Sequence, residues 1–178
     1  MRIISGKYRG KKLQEFDLIT TKPTLDRVKE SIFNLVQFDV ADAVVCDLFS
    51  GTGALGAECV SRGAAKVFLV DSNPKAIKII QANLKNMDGD FKIVNTDYLD
   101  FLKTCNTKFD LVLIDPPYKT DLGVKAIEYI AKHDMLNPNG IIIFETSKDL
   151  NFEFDYPQFD ITKRTYGTVA VFKFVKKD

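Results

Sequence analysis

Asp47-Leu48-Phe49-Ser50-Gly51-Thr52-Gly53-Ala54-Leu55-Gly56 is the stretch on which the fold turns. The apolar strand Ala43–Leu48 runs into it, and a helix ending near Arg62-Gly63 runs out of it. Glycines let a backbone turn this tightly and pass close to a ligand. Outward from this point, short apolar runs alternate with helical spacing, the pattern of a parallel sheet flanked by helices. Further strands are predicted at Lys66–Val70, Phe91–Val94, Phe109–Ile114 and Gly140–Glu145. Helices are predicted at Leu25 to about Gln37, with Thr24 as N-cap, and at Pro74–Asn86, Tyr98–Lys103 and Asp121–Lys132. The tail carries Phe159–Lys163 and Thr168–Val175, joined at Tyr166-Gly167, which reads as an antiparallel hairpin. Residues 1–22 form a polar arm with one or two short strands.

The chain has 178 residues, close to one domain, and 46% of them are hydrophobic and 28% charged. That suffices for one core and leaves no room for a separate recognition domain. The net charge of +1 points to no partner, but its distribution does. Residues 1–12 hold Arg2, Lys7, Arg9, Lys11 and Lys12 and no acid, so the arm suits either phosphate contacts or a solvated terminus. The 3 cysteines lack metal or redox spacing and suit a reducing compartment. His133, the lone histidine, cannot build a metal site. With no signal-peptide core and no apolar run of membrane length, the chain reads as a soluble cytoplasmic protein without a membrane partner.

In an open parallel sheet, ligands bind beyond the carboxyl ends of the strands. Gly51, Gly53 and Gly56 match the dinucleotide pattern G-x-G-x-x-G, a weak signal that also fits a bare strand–helix turn. Asp47 separates the ligand readings. A dinucleotide fold keeps an apolar residue at that strand end, whereas an acid there can accept from the ammonium group of S-adenosylmethionine. Asp71 ends the second strand and suits either ribose hydroxyls or a cap on the helix at Pro74. Asp97 suits either the amino group of an adenine or a helix N-cap.

Asp115-Pro116-Pro117-Tyr118 follows the apolar run Leu111–Ile114. Paired prolines directly after a buried strand are costly unless the backbone there must lack N–H donors. Methylation of an aryl amine needs such a place. The nitrogen lone pair is delocalised into its ring, and acceptors on both amine hydrogens favour the more tetrahedral nitrogen that attacks a methyl group. The Asp115 carboxylate and the Pro116 carbonyl are the candidate acceptors. Tyr118 offers a face on which an extruded base can stack.

These two motifs resemble the cofactor and amine motifs of class I methyltransferases. Arg2–Leu13 together with Lys22–Asn34 closely resembles the bacterial 16S ribosomal RNA guanine-N2 methyltransferases of the small subunit, and the resemblance covers essentially the whole chain. It implies a Rossmann-like α/β fold with a mixed seven-stranded sheet, helices on both faces and a C-terminal β-hairpin at one edge. It implies a single domain over residues 1–178, acting as a monomer on 16S RNA within a partly or fully assembled small subunit. Asp47, Phe49, Gly51 and Gly53 would hold the methionine part of S-adenosylmethionine, Asp71 its ribose and Asp97 its adenine. Asp115, Pro116 and Tyr118 would act on the base. Arg2, Lys7, Arg9, Lys11, Lys12 and Arg27 would approach RNA, and no metal is needed. The Asp-Pro-Pro-Tyr motif is shared with adenine-N6 enzymes, so it does not by itself choose guanine. Two further readings compete: a nicotinamide-dependent oxidoreductase, and a ribosome assembly factor without catalysis.

Overall fold

Strands apolar on both faces produce two cores, one on each side of a seven-stranded sheet. A computed structural model describes residues 1–16 and 23–178, without the side chains of residues 23–25. The elements are α1 (Pro23–Leu35), β1 (Val44–Asp47), α2 (Ala54–Ser61), β2 (Lys66–Asp71), α3 (Pro74–Leu84), β3 (Phe91–Asn95), α4 (Tyr98–Thr104), β4 (Phe109–Ile114), α5 (Leu122–Lys132), β5 (Leu136–Ser147), β6 (Phe159–Tyr166) and β7 (Val169–Lys176). Val45, Leu69, Leu111, Leu113 and Ile143 face one side, where Val28, Ile32 and Phe33 of α1, Ala57 of α2 and Ile80 of α3 cover them. Their neighbours Cys46, Val70, Val112 and Ile142 face the other, under Phe101 and Leu102 of α4 and Ile127 and Ile130 of α5. Successive strand side chains point to opposite faces, so strands buried on both faces read as the unbroken apolar runs seen in the sequence.

The strand order is β3-β2-β1-β4-β5-β7-β6. β1 to β5 are mutually parallel, and β7 runs antiparallel between β5 and β6. The hairpin therefore inserts its second strand against β5 and leaves its first at the edge. Between β1 and β4 the order of succession reverses, which opens a crevice at the carboxyl ends of these strands. Every acid singled out in the sequence except Asp97 lies on β1, β2 or the loop after β4, around this crevice.

Several expected boundaries differ: α3 stops at Leu84 rather than Asn86, and β6 runs on to Tyr166 past the expected Lys163. α1 begins at Pro23, so Thr24 lies within its first turn rather than capping it, and the helix stops at Leu35, short of Gln37. β5 begins at Leu136, not Gly140, because its register to β4 jumps from Phe109↔Leu136 to Leu111↔Ile141. The irregularity absorbs Asn137-Pro138-Asn139, with Asn139 at φ 60°, which reads in sequence as a turn. Residues 151–159, to which the sequence assigns no role, serve the core. The Phe154 ring lies 5.1 Å from Phe172 and 5.0 Å from Phe174, closing the apolar face of the hairpin.

The arm is built in rather than loose. Met1–Leu13 doubles back through an Arg2↔Lys12 bridge and buries Ile3 and Leu13 in the core. Glu58 of α2, fully buried, accepts from the backbone N–H groups of Ile4 at 2.8 Å and Ser5 at 3.0 Å. It also pairs with Lys29 of α1 at 3.0 Å and Arg62 at 2.9 Å. A buried carboxylate needs this many donors to offset its desolvation, and their convergence ties arm, α1 and α2 together.

Candidate active site

Acids end the strands that border the crevice, and their surroundings differ in ways that assign them different work. Asp47 is buried at the end of β1. One of its oxygens accepts from the Ser50 hydroxyl at 2.8 Å and from the Gly56 N–H at 2.9 Å. The other, Oδ1, is buried with no hydrogen-bond partner among the described residues. Burial, opposed by those two bonds, lifts the Asp47 carboxyl to about 6. An unpaired buried acceptor is costly to the fold, and a cationic donor is the partner that best offsets such a cost. The turn beside it needs glycine: Gly51 and Gly53 hold φ 56° and 77°, and at Gly51 the missing side chain leaves open space.

Asp71 ends β2 and organises the same loop. Its Oδ2 accepts from the Gly51 N–H and its Oδ1 from the Asn73 N–H, both at 2.8 Å. The cap of α3 is Asn73, which accepts from Lys75, so Asp71 is not the capping residue. Asp97, exposed, is the N-cap of α4 and accepts from the Leu99 N–H at 2.8 Å. Phe49 leaves the loop half-buried, its ring 5.0 Å from Tyr98.

Asp115 continues β4 into the Pro116-Pro117-Tyr118 turn. Pro116 is buried, and Gly123 of α5 is what lets the helix close on it. A Cβ at Gly123 would lie 2.3 Å from the Phe144 ring and 3.0 Å from the Pro116 ring. Burial and the neighbouring Glu145 and Asp47 carboxylates push the Asp115 carboxyl well above its usual range. Tyr118 is 50% exposed, and its hydroxyl donates to Glu145 Oε1 at 3.1 Å. Burial also raises Glu145, against the lowering effect of that bond. Because Ile114 pairs with Phe144 in the parallel register, Asp115 and Glu145 follow side by side on adjacent strands.

The fold thus gathers Asp47, Asp71, Asp115 and Tyr118 at one end of the sheet, with Asp97 following the outermost parallel strand. Glu145 went unassigned in the sequence, although it ends an apolar run just as Asp47 and Asp71 do. The basic arm docks along α2 and α3 instead. Lys7 pairs with Asp88 at 2.7 Å and Lys11 donates to the Lys85 carbonyl at 2.8 Å. Arg2, Arg9, Lys12 and Arg27 are exposed. Asn83 joins arm to loop: it exchanges hydrogen bonds with the Gln14 backbone and donates to the Thr52 carbonyl at 2.8 Å.

Similarity to known proteins gives the site its context. The family described as Conserved hypothetical protein 95 matches residues 1–175. Ribosomal RNA small subunit methyltransferase D of Haemophilus influenzae is 35% identical over 154 residues, covering 84% of this chain and 80% of that protein. The rRNA methyltransferase YlbH of Bacillus subtilis is 34% identical, covering 97% of this chain and 98% of its own length. The solved methyltransferase yhhF from Escherichia coli superposes with a TM-score of 0.89 at 28% identity, covering 99% of this chain and 98% of that one.

The fold is that of a Rossmann-like class I methyltransferase, and S-adenosylmethionine is the cofactor. The residues present fit it. The Asp47 Oδ1, without a partner among the described residues, could accept from a cationic donor, and Gly51 leaves room above the loop. Asp71 stands where ribose acceptors are needed. Asp71→Ala is expected to weaken S-adenosylmethionine and its demethylated product alike, by about ten- to a hundredfold, the worth of hydrogen bonds to a charged group. Calorimetry with both ligands checks this, and unchanged affinity for both would remove Asp71 from the cofactor site. Sequence and fold agree over nearly the full length of the chain, which belongs to the family of the ribosomal RNA small subunit methyltransferases D.

Proposed function

We propose that the enzyme methylates the exocyclic N2 amine of a guanine in 16S ribosomal RNA of the small subunit, acting as a monomer in the cytoplasm. The observation that carries this reading is the half-buried Asp115 carboxylate followed by two prolines, at the switch point of a methyltransferase sheet. The relatives' names, which specify small-subunit ribosomal RNA, support the substrate class.

S-Adenosylmethionine supplies an electrophilic methyl group when bound, held by Asp47, Phe49, Gly51 and Gly53, with Asp71 at its ribose and Asp97 at its adenine. The chain does the rest by position and by acceptors. Tyr118, half exposed at the mouth, stacks the extruded base. The Asp115 carboxylate and Pro116 carbonyl accept the two amine hydrogens and turn the nitrogen lone pair out of the ring plane. When the methyl group passes from sulfur to nitrogen, the sulfur–carbon bond breaks to leave a neutral thioether, the nitrogen–carbon bond forms, and Asp115 takes the proton the amine loses. Its upward-shifted carboxyl makes it a better base for that step.

The decisive experiment methylates RNA from cells lacking the protein and maps the new group by mass spectrometry. N2-methylguanosine at one position of 16S RNA is the expected product. A methyl group on adenine N6, or none in ribosomal RNA, would overturn the reading.

The basic arm can supply phosphate contacts, which give affinity but little sequence information, so the reading leaves specificity largely to substrate shape. Small-subunit particles are therefore expected to be better substrates than short naked hairpins. Deleting residues 1–12 is a poor test, since Ile3 is core and Glu58 would lose its backbone donors. The triple substitution Arg2→Ala, Arg9→Ala and Lys12→Ala spares these contacts. It should lower the slope of log affinity against log salt by about two while cofactor affinity holds. Filter binding across a salt series measures it, and an unchanged slope would take the arm out of the RNA interface.

A further inference from the structure

Glu145 is 6% exposed, yet it lies at the mouth of the crevice, one strand away from the carboxylate that handles the amine. Among the described residues it receives one hydrogen bond, from the Tyr118 hydroxyl to Oε1 at 3.1 Å. Its second oxygen takes none from the described residues. An acid buried to this degree without a cationic partner is costly, and nothing in the packing of β5 requires it: the preceding positions Ile141–Phe144 are apolar and buried.

Three bases carry an exocyclic amine, and the groups flanking that amine differ. In adenine the ring nitrogen beside the amine is an acceptor, and in cytosine it is also an acceptor. Only in guanine is a flanking ring nitrogen, N1, a donor, with the acceptor N3 on the other side of the amine. Two acceptor side chains set side by side on parallel strands about 4.8 Å apart match a base edge that presents two donors in a row. They repel one that presents a donor beside an acceptor. Unpaired or opposed buried polar groups are where discrimination between similar ligands comes from.

We propose that Glu145 is the residue that selects guanine, its carboxylate accepting the N1–H while Asp115 accepts from the adjacent amine, and that the Tyr118 hydroxyl fixes the carboxylate in the orientation this needs. The inference rests on the guanine-N2 reading above and deepens it. Tyr118 then has two jobs, its ring for stacking and its hydroxyl for aiming Glu145. The Asp-Pro-Pro-Tyr motif supplies the amine acceptors common to adenine and guanine enzymes, and the acid ending β5 supplies the choice between them.

The test uses 2-aminopurine, which keeps the amine at C2 but has an acceptor at N1. Small-subunit particles are reconstituted with guanine or 2-aminopurine at the position mapped with the wild-type enzyme. Single-turnover methylation and particle affinity are measured for the wild-type, Glu145→Gln and Tyr118→Phe enzymes. The wild-type enzyme should prefer guanine by about ten- to a hundredfold, the worth of one hydrogen bond to a charged group. Glu145→Gln, nearly isosteric and able to donate to an acceptor at N1, should collapse that preference to within a few-fold, in rate and in particle affinity, with S-adenosylmethionine affinity unchanged. Tyr118→Phe should lower the preference part of the way. A Glu145→Gln enzyme that keeps the full wild-type preference would overturn the assignment of Glu145 and leave the guanine-N2 reading standing. If the wild-type enzyme places no methyl on guanine N2 at all, the underlying reading fails first.

Discussion

Asp115→Ala is expected to lower the rate of methyl transfer by about 10²–10³ while leaving the affinity for S-adenosylmethionine within a few-fold of wild type. Asp115 follows β4, whereas the cofactor loop follows β1, so the two functions sit on different strands of one crevice. Asp115 faces two costs in the free enzyme, burial and the Glu145 and Asp47 charges beside it. Both are relieved when a donor amine arrives and its proton transfers. Removing the carboxylate leaves an amine whose lone pair stays in the ring, which is a transition-state loss rather than a binding loss. Tyr118→Ala should also impair turnover, by losing the stacking face, and Tyr118→Phe less. Single-turnover transfer of a tritiated methyl group, set beside calorimetry for the cofactor, separates the two effects. Wild-type rates from Asp115→Ala on a verified substrate would show that amine chemistry is done elsewhere.

Much of this was legible in the sequence because the chemistry sits where local patterns end. Asp47, Asp71 and Asp115 each close an apolar run, and in a parallel sheet the end of a run is the binding edge. The order of strands and helices followed from the same alternation. What could not be read depends on contacts between distant segments. Glu145 has the same local signature as Asp71, but its meaning comes from the β4–β5 register and the Tyr118 hydroxyl, neither of which has a sequence period. Glu58 acquires its role only when the arm folds over α2 and presents the Ile4 and Ser5 N–H groups to it. Lys7 and Lys11 read as candidate phosphate contacts, and the fold partly commits both to Asp88 and the Lys85 carbonyl. Gly123 sits inside a helix, where glycine costs stability, and its reason is the Phe144 and Pro116 rings that press against it.

The acids at the crevice also explain why the site is poised rather than restful. Asp47, Asp115 and Glu145 are all pushed upward by burial, and two of them are further raised by neighbouring acids. A fold optimised for stability alone would replace them with apolar residues. On the proposed reading their partners are ligands: a cation for Asp47, and donor edges of a base for the other two.

Asp47→Asn carries the second large effect, and it has opposite signs in the two states of the enzyme. In the free protein the carboxyl is lifted from 3.8 to about 6. Ionising it at neutral pH therefore costs the fold about 3 kcal/mol relative to the unfolded chain. The sign follows from the upward shift of an acid. The cost is absent below the unfolded value near 4, grows as pH rises, and is complete above about 6. Asparagine keeps an oxygen for Ser50 and Gly56 and removes the charge, but buries an amide with one unpaired end. The net gain should be about 1–2 kcal/mol, a rise of several degrees in the melting temperature of the free protein at pH 7–8 that vanishes near pH 4. Cofactor binding moves the other way. Losing one member of a desolvated carboxylate–ammonium pair costs about 10²–10³ in affinity. In the wild-type enzyme, binding needs Asp47 ionised, so affinity should be level above about pH 6 and fall about tenfold per unit below it, a fall absent from Asp47→Asn. Calorimetry from pH 5 to 8 and melting curves over the same range test both halves. A variant that melts lower than wild type while binding S-adenosylmethionine normally would show that Asp47 serves the loop and not the ligand.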